Sequence, residues 1–480
     1  MTCVRWPAAG APAGLPALLS LLALLSGGTA STASAGASSD MSSLASVAVA
    51  APRPASRGGS RSYPVVIAHR GACAYRPEHT LPSYRMAIAM GADLLEPDLV
   101  STKDHVLVAR HENEISQTTD VARHPEFAAR RTTKVIDGRT LTGWFTEDFT
   151  LAELRTLRAV ERLPALRPGS AAFDGLASVA TFKEIVALAK RSGVGVYAET
   201  KHPGYFASIG LPLEGPLLAT LGRYGWRERA DPVWIESFET ANLRALRHRT
   251  RLRLVQLLEA AGAPRDLVTK GDRRTYRDLA TPGGLAEIAT YADAVGVPTD
   301  LVRPVDRHGR LGAPTPLVAD AHRQDLDIHV WTVRPENAYL PAPFRLGDPA
   351  APGYASAHGD VAGWLRTLYG LGVDGVFSDD PGVARQVRDE VVRGAGLVHG
   401  ASGTDGSPAE TPDEEEGANA QASGGGAFYA RAAGEGGPSA QASGEGGPVA
   451  GRRRQAAPVR PAPPRPPGAA RPRSSPRRGA

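Results

Sequence analysis

Cysteine is nearly absent from this chain: 480 residues contain two, Cys3 and Cys73. If the N-terminus is removed, one thiol remains, no intrachain disulfide is available, and the fold must hold through its core. Long apolar runs are also missing. The longest near the start, Leu15 to Leu25, is about eleven residues, where a bilayer span needs roughly twenty, so no transmembrane helix is expected. There is no Gly-x-Ser-x-Gly elbow, no glycine-rich phosphate loop ending in Lys-Ser/Thr, and no cysteine cluster, which argues against serine-nucleophile, P-loop and thiolate-metal chemistry. Residues 450–480 carry nine arginines and no aromatic side chain to stack on bases, so no nucleic-acid partner is expected.

What is present is globular in composition, 42% hydrophobic and 22% charged, while 53 Gly and 40 Pro point to long segments without a core. Arg5, the apolar run and Ala33-Ser34-Ala35 together read as a secretory signal over 1–35, which implies an extracytoplasmic location. Residues 36–62 read as a linker, and 396–480 as a disordered tail. Within that tail 405–416 holds six acids and no base, and Ala-Gln-Ala-Ser-Gly occurs at both 420–424 and 440–444. The Arg/Pro end suits either plain solvation or adhesion to an anionic surface such as cell wall.

Between these ends, residues 63–395 alternate short β-rich runs with amphipathic helical segments. Strands are predicted at 65–69, 93–99, 106–111, 194–200, 233–238, 252–258, 294–298, 328–333 and 373–378. Only six residues separate Leu99 from Val106, too few for the crossover that parallel strands need, so 93–99 and 106–111 form an antiparallel hairpin. Eight parallel strands remain. The expected fold is an α/β TIM (β/α)8 barrel with an inserted β-hairpin and a long insertion, Asn113 to about Val179, of the kind that forms lids or binding loops. Thr80 and Thr181 are candidate helix caps.

The chemistry concentrates at strand ends. Val65-Val66-Ile67-Ala68 runs into His69-Arg70-Gly71, polar groups that a buried strand does not need but a barrel mouth does. Glu96 and Asp98 flank Pro97, and alternation along a strand puts both carboxylates on one face about 7 Å apart. Two unpaired carboxylates are costly to bury, and a divalent cation resolves that cost; a solvated or salt-bridged pair is the plainer alternative. A hairpin turn centred near Lys103 brings His111 beside Leu95 or Glu96. Glu199 and Lys201 repeat the i, i+2 pattern: Glu199 completes an oxygen-donor trio suited to Ca²⁺ or Mg²⁺, and Lys201 either meets an anionic substrate or pairs with Glu199. A cation, an arginine and a lysine suit phosphoryl oxygens, and two histidines suit general acid and base, so the set points to phosphodiester cleavage.

In order and spacing, His69-Arg70-Gly71-Ala72, Pro77-Glu78-His79-Thr80-Leu81-Pro82, Glu96-x-Asp98, Thr102-Lys103-Asp104, His111 and Glu199-x-Lys201 resemble the glycerophosphodiester phosphodiesterase family. Thr119-Asp120-Val121-Ala122 and Lys134-Val135-Ile136-Asp137-Gly138 resemble the long insertion of its secreted bacterial branch. Trp331-Thr332-Val333 and Asp374-Gly375-Val376-Phe377-Ser378-Asp379 resemble its last two strands. The resemblance implies hydrolysis of glycerophosphodiesters to glycerol 3-phosphate and an alcohol, with one divalent cation, commonly Ca²⁺. It implies His69 and His111 as the acid/base pair, and Glu96, Asp98 and Glu199 as metal ligands. Arg70 and Lys201 would hold phosphate, Trp331 would pack on the glycerol, and Glu78 would orient Arg70. Glu112 stands where Asp is common and His79 where Asn is common; neither is given proton transfer or metal ligation. His202, His248, His322 and His329 are expected to be surface or packing residues, and Ser237, Phe238 and Gln256 to shape the pocket. Polymeric glycerophosphate of teichoic acid type, lipid headgroups cleaved in phospholipase D fashion, and an idle binding barrel are the competing functions.

Overall fold

The computed structural model describes residues 63–400. The signal, linker and tail expected from the sequence lie outside these residues, apart from 396–400, where the final helix Pro381–Gly400 runs past the expected boundary.

Twelve strands are present in the described residues: β1 Val65–His69, β2 Leu94–Glu96, β3 Asp98–Ser101, β4 Leu107–Ala109, β5 Thr132–Ile136, β6 Arg139–Gly143, β7 Gly195–Thr200, β8 Val233–Ser237, β9 Arg253–Leu257, β10 Ala294–Pro298, β11 Asp327–Val333 and β12 Gly375–Ser378. The expected strand 93–99 is broken at Pro97, which has no N–H to donate to the ladder. Its two halves, β2 and β3, together occupy one barrel position, both pairing parallel with β7. Counting them once, eight parallel strands close in the order β1, β2/β3, β7, β8, β9, β10, β11, β12, with β12 returning to β1. The TIM barrel is therefore as expected.

The hairpin also forms, with a register different from expectation. Leu99 faces Ala109 and Ser101 faces Leu107, which centres the turn at Asp104 rather than Lys103. Arg110 N–H donates to the Asp98 carbonyl at 2.9 Å, so His111 comes level with Pro97, between the two acids instead of beside Leu95 or Glu96.

Alternation along the strands divides the core in two. Outward residues such as Val66, Leu95, Val196 and Ile235 pack beneath the helices in one large cluster. Inward residues Ile67, Leu94, Tyr197, Trp234, Val255, Ala294 and Phe377 fill the barrel itself. His329 belongs to this floor: its Nδ1 meets the Tyr197 hydroxyl at 2.7 Å, and burial lowers its pKa to about 4. It is a packing residue. Above the floor, Ile67 leads to His69, Leu94 to Glu96, Tyr197 to Glu199, Trp234 to Glu236 and Phe377 to Asp379, whereas β9 and β10 continue with Leu257 and Gly296, so the polar groups gather on one part of the mouth.

The helix caps agree with the sequence. Thr80 accepts from Ser83 N–H to open Leu81–Ala89, and Thr181 forms a full capping box with Glu184 to open Phe182–Arg191. The insertion is a hairpin, β5–β6, with short helical turns packed through Phe127, Phe145 and Phe149. No helix among the described residues is long and apolar enough to cross a membrane.

Gly71 follows His69-Arg70 with φ +92°, and a Cβ there would meet Ser83 atoms at 2.4–2.9 Å. Gly71→Ala is expected to cost at least about 2 kcal/mol through strain and overpacking, read as a lower urea midpoint at unchanged m-value.

Candidate active site at the barrel mouth

His69 and Glu96 close β1 and β2, Glu199 and Lys201 lie at the C-terminal end of β7, Asp98 opens β3 level with Glu199, and all are buried. This is the face on which barrel ligands sit. The parallel ladder sets His69 level with Glu96, and Asp98 level with Glu199. Residues separated by more than a hundred positions thereby share one mouth.

The cations are placed among the acids. Lys201 Nζ lies 2.7 Å from Glu199 Oε2 and 3.1 Å from Asp98 Oδ1, so the pairing with Glu199 open as an alternative in the sequence does form. Arg70 takes left-handed backbone, φ 59°, which turns its N–H onto Glu96 Oε2 at 2.7 Å. Its guanidinium meets Glu78 at 3.1 Å, the orienting contact expected of Glu78, while its buried Nε has no hydrogen-bond partner. Trp331 lies edge-on to Phe238, ring centres 6.2 Å apart, and its buried Nε1 also lacks a partner. Lys201 Nζ is 5.9 Å from the Phe238 ring centre. Phe238 thus lines the mouth, whereas Gln256 points its amide at the backbone of Ser237, Phe238 and Leu257.

Both imidazoles are held through Nδ1. His69 Nδ1 is 2.6 Å from Asp379 Oδ1, and His111 Nδ1 is 2.5 Å from Glu112 Oε1. In each ring Nε2 is left for another partner. Burial and then the Arg70 charge push the pKa of His69 down to about 4 and that of His111 down to about 3. Both are neutral at pH 7.

The carboxylates diverge. Burial opposes ionisation of Asp98, but Lys201, His111 and the 2.8 Å contact with His79 Nε2 outweigh it and hold Asp98 well below the usual range. Burial and the Asp98 charge push Glu96 well above it. Burial lifts Glu199 to about 8 against the pull of Lys201. A fourth acid, Glu236 on β8, stands level with Glu199. Its buried Oε2 has no partner, and burial together with Glu199 and Glu96 keeps it protonated far above the ordinary range. An all-oxygen set carrying surplus acid fits a hard divalent cation. Asp98 and Glu199 are in hydrogen-bond contact and both meet Lys201, but Glu96, Asp98 and Glu199 do not converge together within 4.8 Å. Among the described residues, the metal-capable groups lying within 4.8 Å of one another are His69, Cys73 and Asp379. That trio reads better as a histidine with its orienting carboxylate: Arg167 already neutralises Asp379, and burial raises the Cys73 thiol well above its ordinary pKa.

The motif order on the sequence now stands on a barrel of the matching kind, and the comparisons agree. A model of the glycerophosphoryl diester phosphodiesterase family matches residues 69–383. The chain belongs to that family. Membership makes it a phosphoric diester hydrolase. It is 34% identical over 335 residues to the glycerophosphodiester phosphodiesterase GDPD6 of Arabidopsis thaliana, covering 67% of this chain and 85% of the relative. A glycerophosphodiester phosphodiesterase of Treponema pallidum is 29% identical over 323 residues, covering 60% and 85%. The crystal structure of a phosphodiesterase of this kind from Silicibacter pomeroyi is 22% identical, with a TM-score of 0.48, covering 69% of this chain and 96% of that one.

Several residues at this mouth escape sequence reasoning. His79 buttresses Asp98 and bonds the Tyr84 hydroxyl at 2.8 Å, a contact that its place where Asn is common does not announce. Glu236 interrupts the apolar run Val233-Trp234-Ile235, which is a usable signal. Asp379 lies 310 positions from its histidine and is marked in sequence only by the motif around it. Arg162 and Arg167, from the insertion, reach Glu112 and Asp379 and had no local signal.

The raised acids carry a sign for stability. Glu199 stays protonated in the folded state up to about pH 8, while its unfolded value is 4.5, so unfolding releases a proton between those limits and stability falls as pH rises. The lowered histidines act oppositely, but only below 6.5, where the unfolded imidazole protonates. In chelator-treated protein the melting temperature is therefore expected to fall from pH 6.5 to 8, measured by calorimetry; a rise across that window would contradict the charge arrangement.

Proposed function

We propose that this enzyme hydrolyses glycerophosphodiesters to glycerol 3-phosphate and an alcohol, with His69 and His111 as the acid/base pair. The observation that supports this most directly is the matched pair of imidazoles, each gripped at Nδ1 by a carboxylate and each within reach of the Arg70 charge. Fixing Nδ1 sets the tautomer and presents Nε2 to the substrate, the logic by which a carboxylate orients a catalytic histidine.

Arg70 and Lys201 hold the phosphodiester oxygens, and Trp331 with Phe238 offers apolar surface to the glycerol carbons. A neutral imidazole accepts the proton of the attacking hydroxyl as its oxygen bonds to phosphorus. The other imidazole, as imidazolium, gives a proton to the departing alkoxide as the second P–O bond breaks. Water supplies the elements of the net hydrolysis. Glu96, Asp98 and Glu199 would hold one divalent cation, Ca²⁺ or Mg²⁺, whose charge lowers the barrier by countering negative charge on the phosphoryl oxygens.

Two measurements test this. Hydrolysis of glycerophosphocholine is expected to fall at least about 100-fold in His69→Ala and in His111→Ala, since general acid or base catalysis contributes about 10²–10⁴. Near-normal turnover in either variant would remove that residue from proton transfer. Exhaustive chelation is expected to abolish activity and Ca²⁺ or Mg²⁺ to restore it; full activity after chelation would end the case for the carboxylate site.

A further inference from the structure

The insertion between the hairpin and the Phe182–Arg191 helix reaches into the mouth at two points. Arg167 Nη2 lies 2.5 Å from Asp379 Oδ2, the oxygen that His69 does not use. Arg162 Nη2 lies 2.7 Å from Glu112 Oε2, while its Nη1 is 3.0 Å from Oε1, the oxygen on His111. The two carboxylates that hold the two imidazoles are thus each held in turn by an arginine, and the arginines stand five positions apart on one segment.

Both arginines are anchored on their far side. Glu336, itself buried, takes Arg167 at Nε (2.6 Å) and Nη2 (3.3 Å), and the Cys73 carbonyl takes Nη1 at 3.0 Å. Glu78 takes Arg162 at Nε (2.9 Å) and Nη2 (2.6 Å), and Glu78 is also the partner of Arg70. The segment between them is braced by Glu161, which accepts from Leu163 N–H at 2.8 Å and Ser170 Oγ at 2.5 Å. A planar guanidinium with donors committed on two sides fixes the plane of a carboxylate in a way a point charge does not.

We propose that Arg162 and Arg167 are positioning residues for catalysis: a strap from the insertion that fixes both histidine-bearing carboxylates and so aims both Nε2 atoms at the diester. This rests on the histidine roles proposed above. The plainer alternative is that the arginines merely neutralise buried acids for folding. The two differ in kcat of folded protein, since misplacing a reacting group by about 1 Å costs on the order of 100-fold without weakening binding.

The test is steady-state hydrolysis of glycerophosphocholine by the full chain as wild type, Arg167→Met, Arg167→Lys, Arg162→Met and, as control, Arg155→Met, whose partner Glu184 is far from the imidazoles in sequence and half-exposed. Arg167→Met is expected to lower kcat roughly tenfold to a hundredfold with KM nearly unchanged. Arg162→Met is expected to lower kcat and also raise KM, because Glu78 then loosens on Arg70. Added guanidinium at millimolar concentration, below denaturing levels, is expected to restore part of kcat in the Met variants, and Arg155→Met to behave as wild type. If Arg167→Met does not fold, Arg167→Lys and the charge-balanced Arg167→Met/Glu336→Gln double variant take its place. Folded variants with wild-type kcat, or with a loss that guanidinium leaves untouched, would overturn the strap. A wild type inactive on the diester would instead overturn the histidine assignment beneath it.

Discussion

Four carboxyl groups buried together at one end of a barrel form the constraint around which this molecule is arranged. Carboxylates a few ångströms apart and out of water cannot all ionise. The structure answers unevenly. Asp98 collects Lys201, His111 and His79 and stays an anion, while Glu96, Glu199 and Glu236 are held reluctant to lose their protons. A lysine ammonium between two of the acids is a partial remedy, because one positive charge faces several latent negative ones. Such stored electrostatic tension is typical of places where ligands of opposite charge are taken up.

The fold makes this tension affordable by being ordinary elsewhere. Inside the barrel Tyr197 stacks on Trp234 at 5.9 Å between ring centres, while His329 meets both rings and Phe377 meets Tyr197 edge to face at 5.0–5.5 Å, and together they give the acids a packed base. Pro97 does local work at the same level: by breaking the ladder between Glu96 and Asp98 it lets the first half of the strand pair with β1 while the second half pairs with β4. That leaves the hairpin free to bring His111 level with the break.

What could be read in the sequence followed from periodicity and chain connectivity. Nine strands, the hairpin forced by a six-residue link, the caps at Thr80 and Thr181 and the polar strand ends all have causes that act within a few residues. The errors had causes of another range. The register of His111 moved because the turn closes around Asp104, where Thr102 Oγ1 donates to Asp104 Oδ1 at 2.6 Å and His105 takes left-handed backbone. Asp379, Arg162 and Arg167 act on residues 50 to 310 positions away, and no spacing rule reports a contact made only after the barrel closes. The bridge that the His79 ring makes between Tyr84 and Asp98 is likewise a contact of the folded barrel, with no mark in the residues beside it.

The proton affinities of the two imidazoles bear on how an acid and a base arise from one type of side chain. Each is buried, each has a carboxylate on Nδ1, and each is depressed next by Arg70, so the free site holds two bases and no acid near neutrality. A diester anion seated on Arg70 opposes the second of those causes and leaves the first. Both rings then gain proton affinity, the one nearer the bound phosphate the more. On the roles proposed for His69 and His111, substrate charge would thus help to separate acid from base, and Arg70 would link diester binding to proton transfer.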